Sequence, residues 1–184
     1  MSRPLDRSSG TSPTVWGRVY AGASLLWASA LLLAALAAAE HWMGVASALS
    51  WLVYGVASWL CHQLPDRSFH LDSTPLPVCA RCIGIYVGAA FAALGRVVPS
   101  SRPVTPRRAR AWLAAAAAPA LATLMYEWAT GLMPSHLVRA ASGVLLGGGV
   151  SGLIVAAINA DRGNDADRGD SHHQVGTAEA SEYT

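Results

Sequence analysis

The chain of 184 residues contains no lysine, and only 13% of it is charged, about half the share usual in a globular domain. Its formal net charge is +2, with arginine as the only cation besides histidine. That excludes a nucleic-acid surface, which needs a clustered basic stripe of larger total charge. Three cysteines cannot all pair within one chain, so a purely structural disulfide framework is excluded too. The phosphate-binding pattern G-x-x-x-x-G-K-[ST], the zinc pattern H-E-x-x-H and the nucleophile pattern G-x-S-x-G are all missing. What is abundant is apolar: 53% of residues are hydrophobic, and a mean hydropathy of +0.34 averages polar ends with greasier middles. Seven tryptophans are scattered, several near the ends of apolar runs, where an amphipathic ring suits a membrane interface. The composition predicts an all-α integral membrane protein in contact with the lipid bilayer.

Residues 1–14 are polar, with proline and glycine, and read as a disordered tail. The run 15–39 is apolar apart from Arg18 and a few serines, long enough to cross a hydrocarbon core. A cleavable signal peptide is the rival reading, because "LAAAE" resembles a cleavage site, but the run is long for one. In 43–60, Ser47, Ser50, Tyr54 and Ser58 recur at spacings of three and four. This predicts a helix with a mildly polar stripe, either a span or an interfacial or re-entrant segment. A loop with cysteines and histidines follows over 61–79. The next span is expected at about 78–98, with Gly84 and Gly88 at the spacing that lets membrane helices approach closely. "GRVVPSSRPVTPRRAR" reads as a proline-rich loop with five arginines. Further spans are expected at about 111–128, kinked at Pro119 if that residue lies mid-helix, and at 137–158. Residues 159–184 read as a second disordered tail.

The distribution of arginine predicts the topology. With four spans and 43–60 not crossing, ten arginines fall inside and only Arg67, Arg81 and Arg139 outside. A fifth span removes that bias, leaving seven against six. The expectation is therefore a multi-pass protein of the cytoplasmic membrane with four spans (five as the alternative). Both termini lie in the cytoplasm and the cysteine loop on the outer face.

All three cysteines fall in "CHQLPDRSFHLDSTPLPVCARC", residues 61–82. Cys61, Cys79 and Cys82 with a histidine make a Cys₃His set, one of the standard tetrahedral zinc combinations. His62 directly follows Cys61, and adjacent residues rarely bind one ion together, so His70 is at least as good a fourth ligand; a water can also serve. The competing chemistry is thiol exchange, with Cys79 and Cys82 at a helix start beside Arg81. It is not a c-type haem site, because Ile83 follows Cys82. The plain alternative is that the cysteines pack as small hydrophobes.

Arg67 and Arg81 can hold an anion such as a lipid headgroup, snorkel to the interface, or pair with Asp66 and Asp72. Glu127 and Arg139 flank the link between the last two spans and are expected at one depth, either as an ion pair fixing the hairpin or as part of a polar site. His41, His172 and His173 read as solvated.

"CHQLPDRSF", "VCARCIGIYVG" and, more weakly, "HLVRAASGVLLGG" resemble the domain of unknown function 2085 family of prokaryotic membrane proteins, over roughly residues 20–158. The resemblance implies a small multi-span protein whose signature carries Cys61, His62, Gln63, Pro65, Arg67, Ser68, Cys79, Arg81, Cys82, Gly84 and Tyr86, with Arg139 and Gly143 in the last helix. It also implies an aspartate around the end of the penultimate span; this chain departs from that, with Glu127 as the nearest match. It implies no activity.

Overall fold

The computed structural model describes residues 15–40, 42–95 and 105–158, and among these the chain is almost wholly helical. The helices are α1 (Val15–Ala39), α2 (Val45–Leu60), α3 (Ala80–Gly95), α4 (Pro106–Thr130) and α5 (His136–Ile158). Between α2 and α3 lie a single 3₁₀ turn (Pro65–Arg67) and a minimal antiparallel hairpin, β1 (His70–Leu71) with β2 (Thr74–Pro75). The expected tails, His41, Arg96 and Arg102 lie outside the described residues.

Helix α4 begins five residues earlier than its expected apolar span, and the cause is local. Thr105 is the N-cap, its hydroxyl accepting a hydrogen bond from the Arg108 backbone N–H, and Pro106 takes the first helical position. Arg107, Arg108 and Arg110 therefore lie on the helix rather than in a loop. Pro119 sits inside α4, which continues through it. The helix closes at Gly131, whose left-handed φ of 69° lets its N–H reach the Glu127 carbonyl.

Helix α1 is the common wall, packing against both α2 and α3. Helix α2 folds back beside α1, and the Ser50 hydroxyl donates to the Ala34 carbonyl at 2.8 Å. A core of Leu31, Ala35, Ala57, Leu76, Val78 and Ile83 joins α1, α2, the loop and the start of α3. The size pattern is inverted relative to a water-soluble bundle. Ala28, Ala34, Ala35, Ala57 and Ala120 are buried, while Leu26, Trp51, Trp59 and Trp128 face outward, Trp59 with 92% of its surface exposed. Among the described residues, α1 and α5 are long and apolar enough to cross a membrane by length and composition alone, and α2 and α3 are shorter apolar helices.

Helices α3 and α5 approach closely, and glycine makes it possible. A Cβ on Gly84 would strike the Ala140 carbonyl, and one on Gly88 the Val144 carbonyl. Reciprocally, a Cβ on Gly143 would strike the Arg81 carbonyl, and one on Gly147 the Ile85 carbonyl. Backbone meets backbone from both sides, as small-xxx-small pairs allow. The Ser151 hydroxyl adds a hydrogen bond to the Ala89 carbonyl at 2.9 Å. Replacing Gly84 or Gly143 by alanine is expected to destabilise the bundle by about 1–3 kcal/mol through overpacking. Gly55→Ala, with open space around it, is expected to leave stability unchanged or raise it by up to about 1 kcal/mol. Thermal unfolding of the purified protein in detergent distinguishes the two classes.

Candidate functional site

The loop from residue 61 to 79 is held at several points, and these bring the cysteines together. Cys61 caps α2 in an extended conformation, its N–H donating to the Ala57 carbonyl. Two residues on, Gln63 has a left-handed φ of 49°, a conformation that costs a non-glycine residue energy unless its surroundings fix it. Its side-chain amide does so by donating to the Tyr54 carbonyl at 2.8 Å and the Pro77 carbonyl at 2.9 Å. The Tyr54 hydroxyl donates to the Pro75 carbonyl at 2.7 Å. The returning strand is thereby tied to α2, and Cys79 arrives next to Cys61.

The three sulfurs lie within 4.8 Å of one another. The Cys79 backbone N–H donates to the Cys61 sulfur at 3.3 Å, and the Cys79 and Cys82 sulfurs are 3.5 Å apart. All three cysteines are free. Cys61 is buried and the other two are half-buried, against Trp27, Val53, Tyr86 and the core around Leu31. Cys79 is one residue outside α3, so the N–H groups of the first turn point toward its sulfur. Its thiol is drawn down to about 5, chiefly by the Cys82 side chain, against an opposing effect of burial, with further help from the N–H groups of Cys82 and Arg81 and from Cys61. In that state Cys79 is the acceptor and the Cys82 thiol the donor.

Neither histidine expected as a fourth ligand joins the sulfurs. The group that can hold an ion comprises Cys61, Cys79 and Cys82 alone among the described residues, and His62 and His70 are both exposed. The reason is strand geometry. Successive side chains of extended backbone point to opposite faces, so a buried Cys61 turns His62 outward. His70 takes the exposed position of β1 and Leu71 the inward one.

Glu127 also has partners other than the expected one. Arg67 Nη2 lies 3.0 Å from Oε1 and Arg81 Nη2 lies 3.7 Å from Oε2, and no ion pair to Arg139 occurs among the described residues. Neither contact has hydrogen-bond alignment, so the attraction is Coulombic. Arg81 also donates to the Thr123 hydroxyl at 3.1 Å. Arg139 is 1% exposed, and its Nη1 meets the Met133 sulfur at 3.9 Å. The pairing follows from the loop lying over the α4 end, which hairpin proximity between α4 and α5 does not reveal. Asp66 and Asp72 form no ion pair with either arginine among the described residues.

Two contributors escape a reading of the sequence. His136, the first residue of α5, has its Nε2 at 3.0 Å from the Asp66 carbonyl and its ring 5.6 Å from that of Phe69, which docks the loop on α5. Thr123 lies one helical turn before Glu127, and that spacing of four is the only signal it leaves.

Two outcomes follow from this geometry. Glu127→Ala leaves Arg81 half-buried without its counter-charge and is expected to cost about 3 kcal/mol. Arg67→Ala removes a side chain that is 40% exposed and is expected to cost less than about 1 kcal/mol; thermal unfolding measures both. Cys79 has a lowered pKa, so its thiolate is present above that value and is lost as pH falls through it. Its alkylation by iodoacetamide in reduced, metal-free protein is expected to stay nearly constant from about pH 8 to about 6, where an ordinary thiol slows about tenfold per unit. Peptide mapping of the alkylated protein reads the rate at each cysteine.

Comparison with known proteins adds the family. Uncharacterized protein MJ1492 of Methanocaldococcus jannaschii is 50% identical over 40 residues, 22% of this chain and 26% of that protein. An uncharacterized protein of Methanothermobacter thermautotrophicus is 48% identical over 31 residues, 17% of this chain and 28% of that one. The chain thus spans about a quarter of the length of each of these relatives. No solved structure matches it. A family model matches residues 61–153, half of the chain and the whole of the cysteine and arginine-glutamate sites. The chain belongs to the family described as "Predicted membrane protein (DUF2085)".

Proposed function

We propose that this protein is a multi-pass membrane protein whose Cys61, Cys79 and Cys82 bind one zinc ion at the membrane face. The observation that carries the metal reading is the convergence of three sulfurs within 4.8 Å. Thiolates sharing one tetrahedral zinc at about 2.3 Å stand roughly 3.8 Å apart, close to the 3.5 Å between Cys79 and Cys82. The N–H groups directed at Cys61 and Cys79 favour the charged form of sulfur. Simple packing has no need of them. With His62 and His70 turned away, Cys61, Cys79 and Cys82 would be the protein ligands of an ion here. Such an ion supplies Lewis acidity, and Cys61, Cys79 and Cys82 hold it against the core.

The membrane reading rests on the family, on α1 and α5, and on the large outward residues over a small-residue interior. Four crossings by α1, α3, α4 and α5 within residues 15–158, with α2 re-entrant, agree with the ten arginines assigned to one side and three to the other. This puts the termini in the cytoplasm of the cell and the cysteine loop on the outer face of the cytoplasmic membrane.

The 3.5 Å separation of Cys79 and Cys82 also favours a second reading, a thiol-disulfide oxidoreductase. Elemental analysis of protein purified under reducing, chelator-free conditions separates the two. About one zinc per chain, lost in Cys82→Ser, is the expected result; no metal together with a reversible Cys79–Cys82 disulfide would establish exchange chemistry instead. Orientation is tested with a membrane-impermeant maleimide on whole cells, after reduction and chelation. Labelling of the three cysteines only after lysis would reverse the topology.

A further inference from the structure

Glu127, Arg67, Arg81 and Arg139 gather where α3 begins, α4 ends and α5 begins. Glu127 lies in the last turn of α4, Arg81 in the first turn of α3 and Arg139 in the first turn of α5. Arg139 belongs with the others by its place on α5. Ala140, Gly143 and Gly147 of that helix face α3, and Gly149 faces Ala116 and Trp112 of α4. Gly143, which meets the Arg81 carbonyl, lies four residues beyond Arg139 and so on the same side of α5, which sets Arg139 on the side that meets the start of α3. Arg67 closes the seam from the loop, with 40% of its side chain exposed.

The charges do not balance. Arg67 and Arg81 approach the single carboxylate of Glu127, and the buried Arg139 makes no ion pair among the described residues, so these four groups together carry two more positive charges than negative. The hydrogen bonding is also incomplete: Arg81 Nε, Arg139 Nε and both Glu127 carboxylate oxygens are buried without a partner. Arg139 and Glu127 are each more than nine-tenths buried. Buried charges in this condition are costly unless something completes them. A bare second carboxylate would satisfy the guanidinium donors but leave the Glu127 oxygens without a hydrogen-bond donor. A phosphate ester carrying a hydroxyl or ammonium group answers both. Its oxygens accept from the planar guanidinium forks, and its own donor meets Glu127.

We propose that Arg67, Arg81, Arg139 and Glu127 form a binding site for a phosphate ester bearing a hydroxyl or ammonium donor, entered past Arg67. The site is separate from the sulfur cluster and holds whether or not a metal binds there. Its ligand is a phospholipid headgroup or a soluble phosphate ester. Arg81 and Arg139 are the buried anchors, Arg67 is the half-buried clasp, and Glu127 selects the ligand that can donate.

Full-length protein in detergent is titrated with phosphatidylglycerol, with phosphatidylcholine, and with glycerol phosphate, and binding is read by native mass spectrometry and thermal shift. Phosphatidylglycerol retained in preference to phosphatidylcholine supports the site with a lipid source. A thermal shift with glycerol phosphate supports it with a soluble source. Arg67→Gln is expected to weaken either binding about tenfold, the scale of one charge-assisted hydrogen bond. Glu127→Gln is expected to erase the preference over phosphatidylcholine. Arg67→Gln changes a half-buried residue and keeps the test decisive if Arg139→Gln does not fold. Equal retention of both lipids with no response to glycerol phosphate, or binding unchanged in Arg67→Gln, overturns the proposal.

Discussion

Glu127 is the one buried carboxylate among the described residues, and its position organises the end of the molecule where the chemistry lies. A carboxylate at the end of α4 requires positive charge close by. That charge comes from two places distant in sequence, Arg67 in the loop and Arg81 at the start of α3. Meeting that requirement pins the loop over the bundle. Gln63 and Tyr54 then fix its return path, and the three cysteines converge as a result. The backbone of Glu127 contributes as well, since its carbonyl closes α4 through the Gly131 N–H. One residue thus ends a helix and anchors two others.

The segment "CARC" joins the two polar regions through a single helical turn. Cys79 and Cys82 are three residues apart and share a face, which packs toward the core of α1 and α2. Arg81, about 100° from Cys82 on the wheel, reaches the other way, to Thr123 and Glu127. Sulfur chemistry and charge chemistry therefore leave the same helical turn in different directions.

Much of this was legible in the sequence because apolar runs and glycine spacing are local signals. The helices follow the apolar stretches closely, α1 over Val15–Ala39 and α5 over His136–Ile158. The start of α4 was hidden because proline and clustered arginine resemble a loop. The paired signal of Thr105 and Pro106, a cap followed by a first-turn proline, outweighs that resemblance. The gathering of the cysteines was readable from their spacing, but the role of the histidines was not. Whether His62 faces the sulfurs depends on the extended backbone after α2, which spacing does not encode. The partners of Glu127 were hidden for a related reason: sequence proximity favours Arg139, whereas the fold of a loop 60 residues upstream supplies Arg67.

The reciprocal glycine contacts between α3 and α5 have an evolutionary corollary. A helix pair cushioned by flexible side chains absorbs a small slip by repacking, but here carbonyls of each helix sit where the other has no Cβ. Deleting one residue from either helix turns the remainder by about 100° and sets Ala, Val or Ile side chains against those carbonyls. Insertions and deletions should therefore be excluded from these two helices, with length variation confined to the segments joining them. Their relative register is a fixed gauge that keeps Arg81 and Arg139 at one depth while the surrounding surface is free to drift.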